Sequence, residues 1–340
     1  MKGMVLAAGY GTRLRPLSGI LPKPMFPAAN MPLIDFALHR LSSIGIDEAA
    51  VNLHHLPDPI KEHLKQGGRF GQKITFSEEP RILGTGGGIK AVREWIGRER
   101  FAVTNGDTLL LTSLEQVLEA HEKNDAMATI ALIRETHEGR FSSVAVDESN
   151  YVMDVGGRLE REDYAEHGVF AGFHVIDPEI FDFMPDRDHF CIIQDVYLPL
   201  IEKMPGSIAA CFVEGAFFDM GTPADYLEGN ISLLTDHINP SSLLVSGMRH
   251  LGENVFIGEN VRLGKGVNLL GPCIIGNDVM IEGGSEVGPA VAVGHGARLG
   301  AWTRLRGSVV WPGAMIPTGR QHSHCIFYGR EYLEVQPLPE

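Results

Sequence analysis

Leu251-Gly252-Glu253-Asn254-Val255-Phe256-Ile257-Gly258-Glu259-Asn260-Val261-Arg262-Leu263-Gly264 opens a run with a period of six. Leu251, Ile257, Leu263, Leu269, Ile275, Ile281, Val287, Val293, Leu299, Leu305 and Trp311 all keep that spacing. Glycine follows directly at 252, 258, 264, 276, 288, 294 and 300, and Val255, Val261, Val267, Cys273, Val291 and Ala297 stand four places after their apolar residues. Each six-residue step reads as one flat face of a triangular solenoid, with the aliphatic side chain inside and the glycine easing the corner.

Toward the N-terminus the pattern changes at Asn239-Pro240-Ser241-Ser242, a polar turn cluster that reads as part of a linker over 236–250. Before it, short β-type runs (Val5 to Ala8, Ala49 to Leu53, Ile74 to Phe76, Phe101 to Thr104) alternate with helical patterns (Pro32 to Ile44, Pro57 to Gln66, Gly86 to Ile96, Leu114 to Lys123). Such alternation predicts an α/β domain over 1–235 with a Rossmann-like, mainly parallel sheet, whose ligands sit beyond the carboxyl ends of the strands. Residues 128–176 read as an antiparallel β addition. The solenoid is assigned to 251–318, and 319–340, with His322 and His324, to a cap or tail.

The 251–318 block closely resembles the hexapeptide-repeat left-handed β-helix, which implies just over three coils. It is read as a stacking and oligomerisation module, so a homo-oligomer is expected. The same repeat also builds acyltransferases with a catalytic histidine. Here His295 is the one histidine inside the repeats, no inserted loop shapes an acyl-donor site, and His295 reads as a solvated corner residue.

Composition narrows the function. The chain has 340 residues and a formal charge of -14, which argues against a nucleic-acid or anionic-membrane binder. Cys191, Cys211, Cys273 and Cys325 form no C-x-x-C pair and suit reduced thiols in a cytoplasm, as small buried hydrophobes. The apolar run at Met4-Val5-Leu6 is too short for a signal peptide, and no run approaches a membrane span.

Leu6-Ala7-Ala8-Gly9-Tyr10-Gly11-Thr12-Arg13-Leu14-Arg15-Pro16-Leu17 follows the first strand. Gly9 and Gly11 let backbone amides approach a phosphate chain, with a cation at the loop end. Alone, this is an ordinary strand-to-helix turn. It is followed by Pro22-Lys23-Pro24-Met25-Phe26-Pro27, where flanking prolines restrict the backbone around Lys23, and by Met31-Pro32-Leu33-Ile34.

Together these motifs resemble the sugar-1-phosphate nucleotidyltransferases, which make nucleotide sugars. The resemblance implies that Leu6, Ala7, Ala8, Gly9, Gly11 and Thr12 wrap the nucleotide phosphates, that Arg13 neutralises the departing pyrophosphate and that Lys23 contacts phosphate. It also assigns Gly84, Thr85 and Gly86 of Leu83-Gly84-Thr85-Gly86-Gly87-Gly88, preceded by Glu79, to base and ribose. Asn105 and Gly106 of Val103-Thr104-Asn105-Gly106-Asp107 join that set. Asp107, and Asp219 of Phe217-Phe218-Asp219-Met220-Gly221-Thr222-Pro223, become the expected Mg²⁺ ligands; each alone reads as a turn or cap residue.

One family feature is missing. Many relatives carry Glu-Lys-Pro after the central β region, whereas this chain has Val155-Gly156-Gly157-Arg158-Leu159-Glu160. Arg158 and Gly172 are therefore the sugar-phosphate candidates. The resemblance implies a reaction of a nucleoside triphosphate with a sugar 1-phosphate, with GTP and mannose 1-phosphate as first choice. The triple glycine at 86–88 points instead toward uridylyl or thymidylyl transfer, including transfer to N-acetylmuramic acid 1-phosphate. A non-catalytic regulatory subunit of the same fold is the reading of another class, and retention of Arg13, Lys23, Asp107 and Asp219 argues against it.

Overall fold

The computed structural model describes residues 1–65, 70–134, 142–237 and 243–336. The chain forms two compact units. One comprises Met1–Tyr10, Leu21–Met25 and Leu33–Phe217, and the other Gly11–Ile20, Phe26–Pro32 and Phe218–Glu340. The turn cluster Asn239-Pro240-Ser241-Ser242 lies outside the described residues.

In the first unit β1 (Lys2–Leu6) pairs in parallel with β2 (Glu48–Leu53) and β4 (Phe101–Asn105), and β2 with β3 (Lys73–Glu78). Beyond β4 the sheet turns antiparallel. β5 (Ala128–Ile133), β6 (Ser143–Val146) and β7 (Val152–Val155) precede β8 (Glu166–Ile176), which runs against β4, β5 and β6. β9 (Ile208–Phe212) then pairs in parallel with β5. Neighbouring residues go to opposite cores: Met4 and Val103 pack with Ile89 and Phe190, while Val5 and Ala102 pack with Ile34, Leu38 and Leu41. A sheet buried on both faces explains the near-continuous apolar strands.

The helices fall where the patterns place them: α1 (Leu33–Ser43), α2 (Pro57–Leu64), α3 (Gly84–Ala91) and α4 (Glu115–Lys123). The span expected as one helix from Gly86 to Ile96 breaks at Val92 into α3 and a one-turn α-helix at Arg93–Ile96. Among the described residues no helix is long and apolar enough to cross a membrane.

The second unit holds a parallel β-helix made of three sheets. Val255, Cys273 and Val291 are successive register partners, eighteen residues per coil. The next coil is one shorter, because Val291 pairs with Ser308 and Val293 with Val310. Val310 therefore takes the inward position expected for Trp311. Trp311 instead donates its Nε1–H to the Tyr226 hydroxyl at 3.1 Å and packs against Phe26. The repeat continues beyond 318, since Gln321–Ser323 and Cys325–Tyr328 extend two of the sheets. Leu251 and Leu263, expected inside, are 48% and 42% exposed. Leu263 sits on the edge strand of its sheet and Leu251 on an antiparallel strand, where no earlier coil among the described residues covers them.

The repeat glycines serve stacking more than corner flexibility. A Cβ at Gly264, Gly294 or Gly300 would stand about 2.4–2.5 Å from backbone nitrogen of the next coil. His295 has a corner role, its Nδ1 accepting the Asn277 N–H at 2.9 Å just as Asn277 Oδ1 accepts from Glu259. Cys273 and Cys325 are buried in the solenoid, where burial pushes the thiols up to about 12 and about 11, with Glu334 adding to the second. Cys191 and Cys211 are half-buried, and all four are free thiols.

α5 (Pro223–Asp236) belongs to the same unit. Its Tyr226 donates to the Pro27 carbonyl at 2.6 Å, and its Asn230 Oδ1 accepts the Ala29 N–H at 2.9 Å. Asn30 donates to the Val293 carbonyl at 2.8 Å, so the 26–32 hairpin rests on both α5 and the solenoid.

Candidate active site

β1 stops at Leu6, and the chain turns away from the sheet at Ala7 because its N–H finds a side chain instead of a strand. Ala7 N–H donates to Asn52 Oδ1 at 2.7 Å, Asn52 Nδ2–H donates to Glu79 Oε1 at 2.7 Å, and Glu79 Oε2 accepts the Leu83 N–H at 2.9 Å. This buried relay fixes the first glycine loop, the ends of β2 and β3, and the entry to α3 in one arrangement. Both Glu79 oxygens are thereby engaged, which makes it a brace within the site.

An open cavity of about 240 Å³ lies over these strand ends. Leu6, Ala8, Gly9, Glu79, Gly84, Thr85, Asn105 and Asp107 line it, all among the residues expected there, together with Asn52 and Ile82, which the sequence reading missed. Gly106 donates to the Leu6 carbonyl at 2.9 Å and ties the two strand ends together. Gly172 has φ +73°, and a Cβ there would stand 2.7 Å from Asn105 Nδ2. The triple glycine has a packing cause. A Cβ on Gly86 would meet the Phe190 ring at 2.4 Å, on Gly87 the Asp188 carbonyl at 2.0 Å, and on Gly88 Asn52 Nδ2 at 2.8 Å. α3 accepts three poor helix formers so that these neighbours can approach.

Asp107 faces two cations. Lys23, on a 3₁₀ turn between its prolines, is 7% exposed and places Nζ 3.0 Å from Asp107 Oδ2. The second is Arg40 of α1, which the sequence reading did not single out and which is buried. Its Nη2 donates to Thr104 Oγ1 (2.9 Å) and the Asn105 carbonyl (3.0 Å), and its Nη1 to the Thr108 carbonyl (3.3 Å). Burial lowers the guanidinium pKa to about 10, and attraction to Asp107 opposes the fall. Among the described residues no group of three or more His, Cys, Asp or Glu side chains is gathered for a metal. One half-exposed carboxylate on a cavity wall fits Mg²⁺, which takes one or two carboxylates and completes its shell from phosphate and water.

In the second unit Gly11, at φ 59°, opens the turn Thr12–Leu14 in the left-handed region. Arg13 Nη2 stands 3.6 Å from Asp219 Oδ2, with side chains 68% and 30% exposed. Asp219 is not a helix cap. Thr222 caps α5, in a capping box with Asp225 and with Pro223 in the first turn. A Cβ at Gly221 would stand 2.3 Å from Asp219 Oδ2, so glycine leaves room for the pair. In the first unit Arg158 is not among the cavity-lining residues. Its N–H donates to Asp154 at 2.9 Å, and its guanidinium meets the Gln194 side-chain oxygen at 3.0 Å once that amide is turned to present it.

Residues 2–236 match the nucleotidyl transferase family, and 254–289 the bacterial transferase hexapeptide repeat. A mannose-1-phosphate guanylyltransferase of Mycobacterium tuberculosis is 30% identical over 318 residues, spanning 93% of this chain and 81% of its own length. A UTP–glucose-1-phosphate uridylyltransferase of Synechocystis is 28% identical over 311 residues, 83% of this chain and 80% of its own. The crystal structure of HddC from Yersinia pseudotuberculosis complexed with GMP-PN superposes with a TM-score of 0.56 at 27% identity, covering 67% of this chain and 97% of that one.

Proposed function

The chain belongs to the nucleotidyl transferase family, and from that premise we propose that it transfers a nucleotidyl group to a sugar 1-phosphate with release of pyrophosphate, GTP and mannose 1-phosphate being the pair. The carrying observation is Lys23 held 3.0 Å from Asp107 on the wall of a glycine-lined cavity. A sugar phosphate, with a second pKa of about 6, is already largely a dianion near pH 7. No general base is needed, and the protein's work is positioning and charge neutralisation.

In this reading the Gly9 loop holds the phosphates and the Gly84–Thr85 start of α3 holds base and ribose, while Lys23 and Arg13 neutralise phosphate charge as pyrophosphate leaves. Gly172, which stands against Asn105 of the cavity wall, is assigned to the sugar phosphate, and Arg158, off that wall and bonded to Gln194, is not carried into the site. Asp107 is the magnesium ligand of the first unit and Asp219 that of the second, and the ion supplies Lewis-acid charge to the phosphates when bound. The guanylyl assignment draws on the guanylyltransferase relative and on HddC with GMP-PN. Uridylyl transfer is the second reading, favoured by the uridylyltransferase relative. The solenoid is proposed to support self-association, which light scattering measures.

A pyrophosphate-release panel crossing GTP, UTP and dTTP with common sugar 1-phosphates tests the assignment. GTP with mannose 1-phosphate is expected to turn over fastest. Preference for a pyrimidine triphosphate moves the chain to the second reading, and no release from any pair removes the catalytic assignment.

A further inference from the structure

We propose that Arg40 is a positioning residue for the metal carboxylate, an inference that rests on the reading of Asp107 as a magnesium ligand. Arg40 is 4% exposed. Its hydrogen bonds go to the carbonyls of Asn105 and Thr108, which bracket Gly106-Asp107, and to the hydroxyl of Thr104 just before them. Gly106 is fixed from the other side by the Leu6 carbonyl. The turn that presents Asp107 is therefore pinned on both flanks, and a planar fork does this with one side chain where a lysine offers a single point charge.

Economy of burial points the same way. Taking a guanidinium out of water is costly unless it is fully bonded and near opposite charge. Among the described residues Arg40 Nε has no hydrogen-bond partner. The guanidinium also feels the field of Asp107. A helix-to-strand clamp that served folding alone needs neither the positive charge nor a place beside this carboxylate. Groups that orient a metal ligand from behind typically cost about 10–100-fold in metal affinity or activity when changed.

Arg40→Met, Arg40→Lys and Thr104→Val in the full chain test this, beside Asp107→Asn. Two readouts are needed: Mn²⁺ binding by electron paramagnetic resonance, in the presence of whichever of GTP or UTP the protein turns over, and the thermal midpoint of each variant. The expected result is Mn²⁺ affinity about 10–100-fold weaker in folded Arg40→Met, a smaller loss of the same direction in Arg40→Lys and Thr104→Val, and turnover recovered by excess Mg²⁺. A folded Arg40→Met with the wild-type Mn²⁺ isotherm overturns the proposal. If Arg40→Met does not fold, unchanged isotherms in both milder variants overturn it. Asp107→Asn that binds Mn²⁺ normally removes the metal reading itself, whereas loss of binding there with intact Arg40 variants removes only this inference.

Discussion

Two cation–carboxylate pairs in this protein are built by opposite means. Lys23 and Asp107 meet at 3.0 Å with the lysine buried, on a turn whose φ angles are restricted by prolines. Arg13 and Asp219 meet at 3.6 Å in the open, on a left-handed glycine turn and beside Gly221, which has no side chain to intrude. The first pair is ordered before substrate arrives. The second keeps a long side chain in water, so its ordering cost falls due on binding. In the proposed roles, burial separates Lys23, which would support both fold and chemistry, from Arg13, which would support chemistry alone.

The largest test removes the base of the exposed pair. Deleting the chain from residue 243 uncovers Phe26 and Tyr226, both fully buried, and takes away Trp311 and Val293, which hold the hairpin and α5. Turnover should fall to background in a pyrophosphate assay with light scattering run alongside; near-normal turnover would mean that the solenoid is only an assembly module. Next come Asp107→Asn and Asp219→Asn, each expected to lower the single-turnover rate by about 10²–10³ without loss of fold. An effect below about threefold at every magnesium level, far short of that range, marks the residue as a turn carboxylate. Smallest is Trp311→Phe, which loses the bond to Tyr226 and should cost about 1 kcal/mol by chemical denaturation. A wild-type midpoint would show that hydrogen bond to be idle.

Legibility divides along the same line as the physics. The solenoid could be read because one inward side chain recurs every six residues, and the strand and helix runs because periodicity is local. The seventeen-residue coil could not be, since Val310 and Trp311 are both apolar and either satisfies the pattern. The glycine loop and Lys23 announced themselves through unusual local residues. Asn52 and Arg40 did not: Asn52 is one polar residue in the strand run Ala49 to Leu53, Arg40 is one of several polar residues of α1, and the role of each exists only where distant segments meet. The glycines at 86–88 were visible, yet the cause of Gly86 and Gly87 is Phe190 and Asp188, and that of Gly88 is Asn52, all distant in sequence.

Lys23→Met and Arg13→Met, each followed by single-turnover rate and by unfolding free energy on the same preparation, test the contrast most directly. Both should lose about 10²–10³ in rate. Lys23→Met should also lose about 1–3 kcal/mol of stability, because Asp107 forfeits a charged hydrogen bond while staying partly hydrated. Arg13→Met should remain within about 1 kcal/mol of wild type, as exposed pairs do. Equal losses of stability in the two variants, or full turnover in Lys23→Met, would contradict the account.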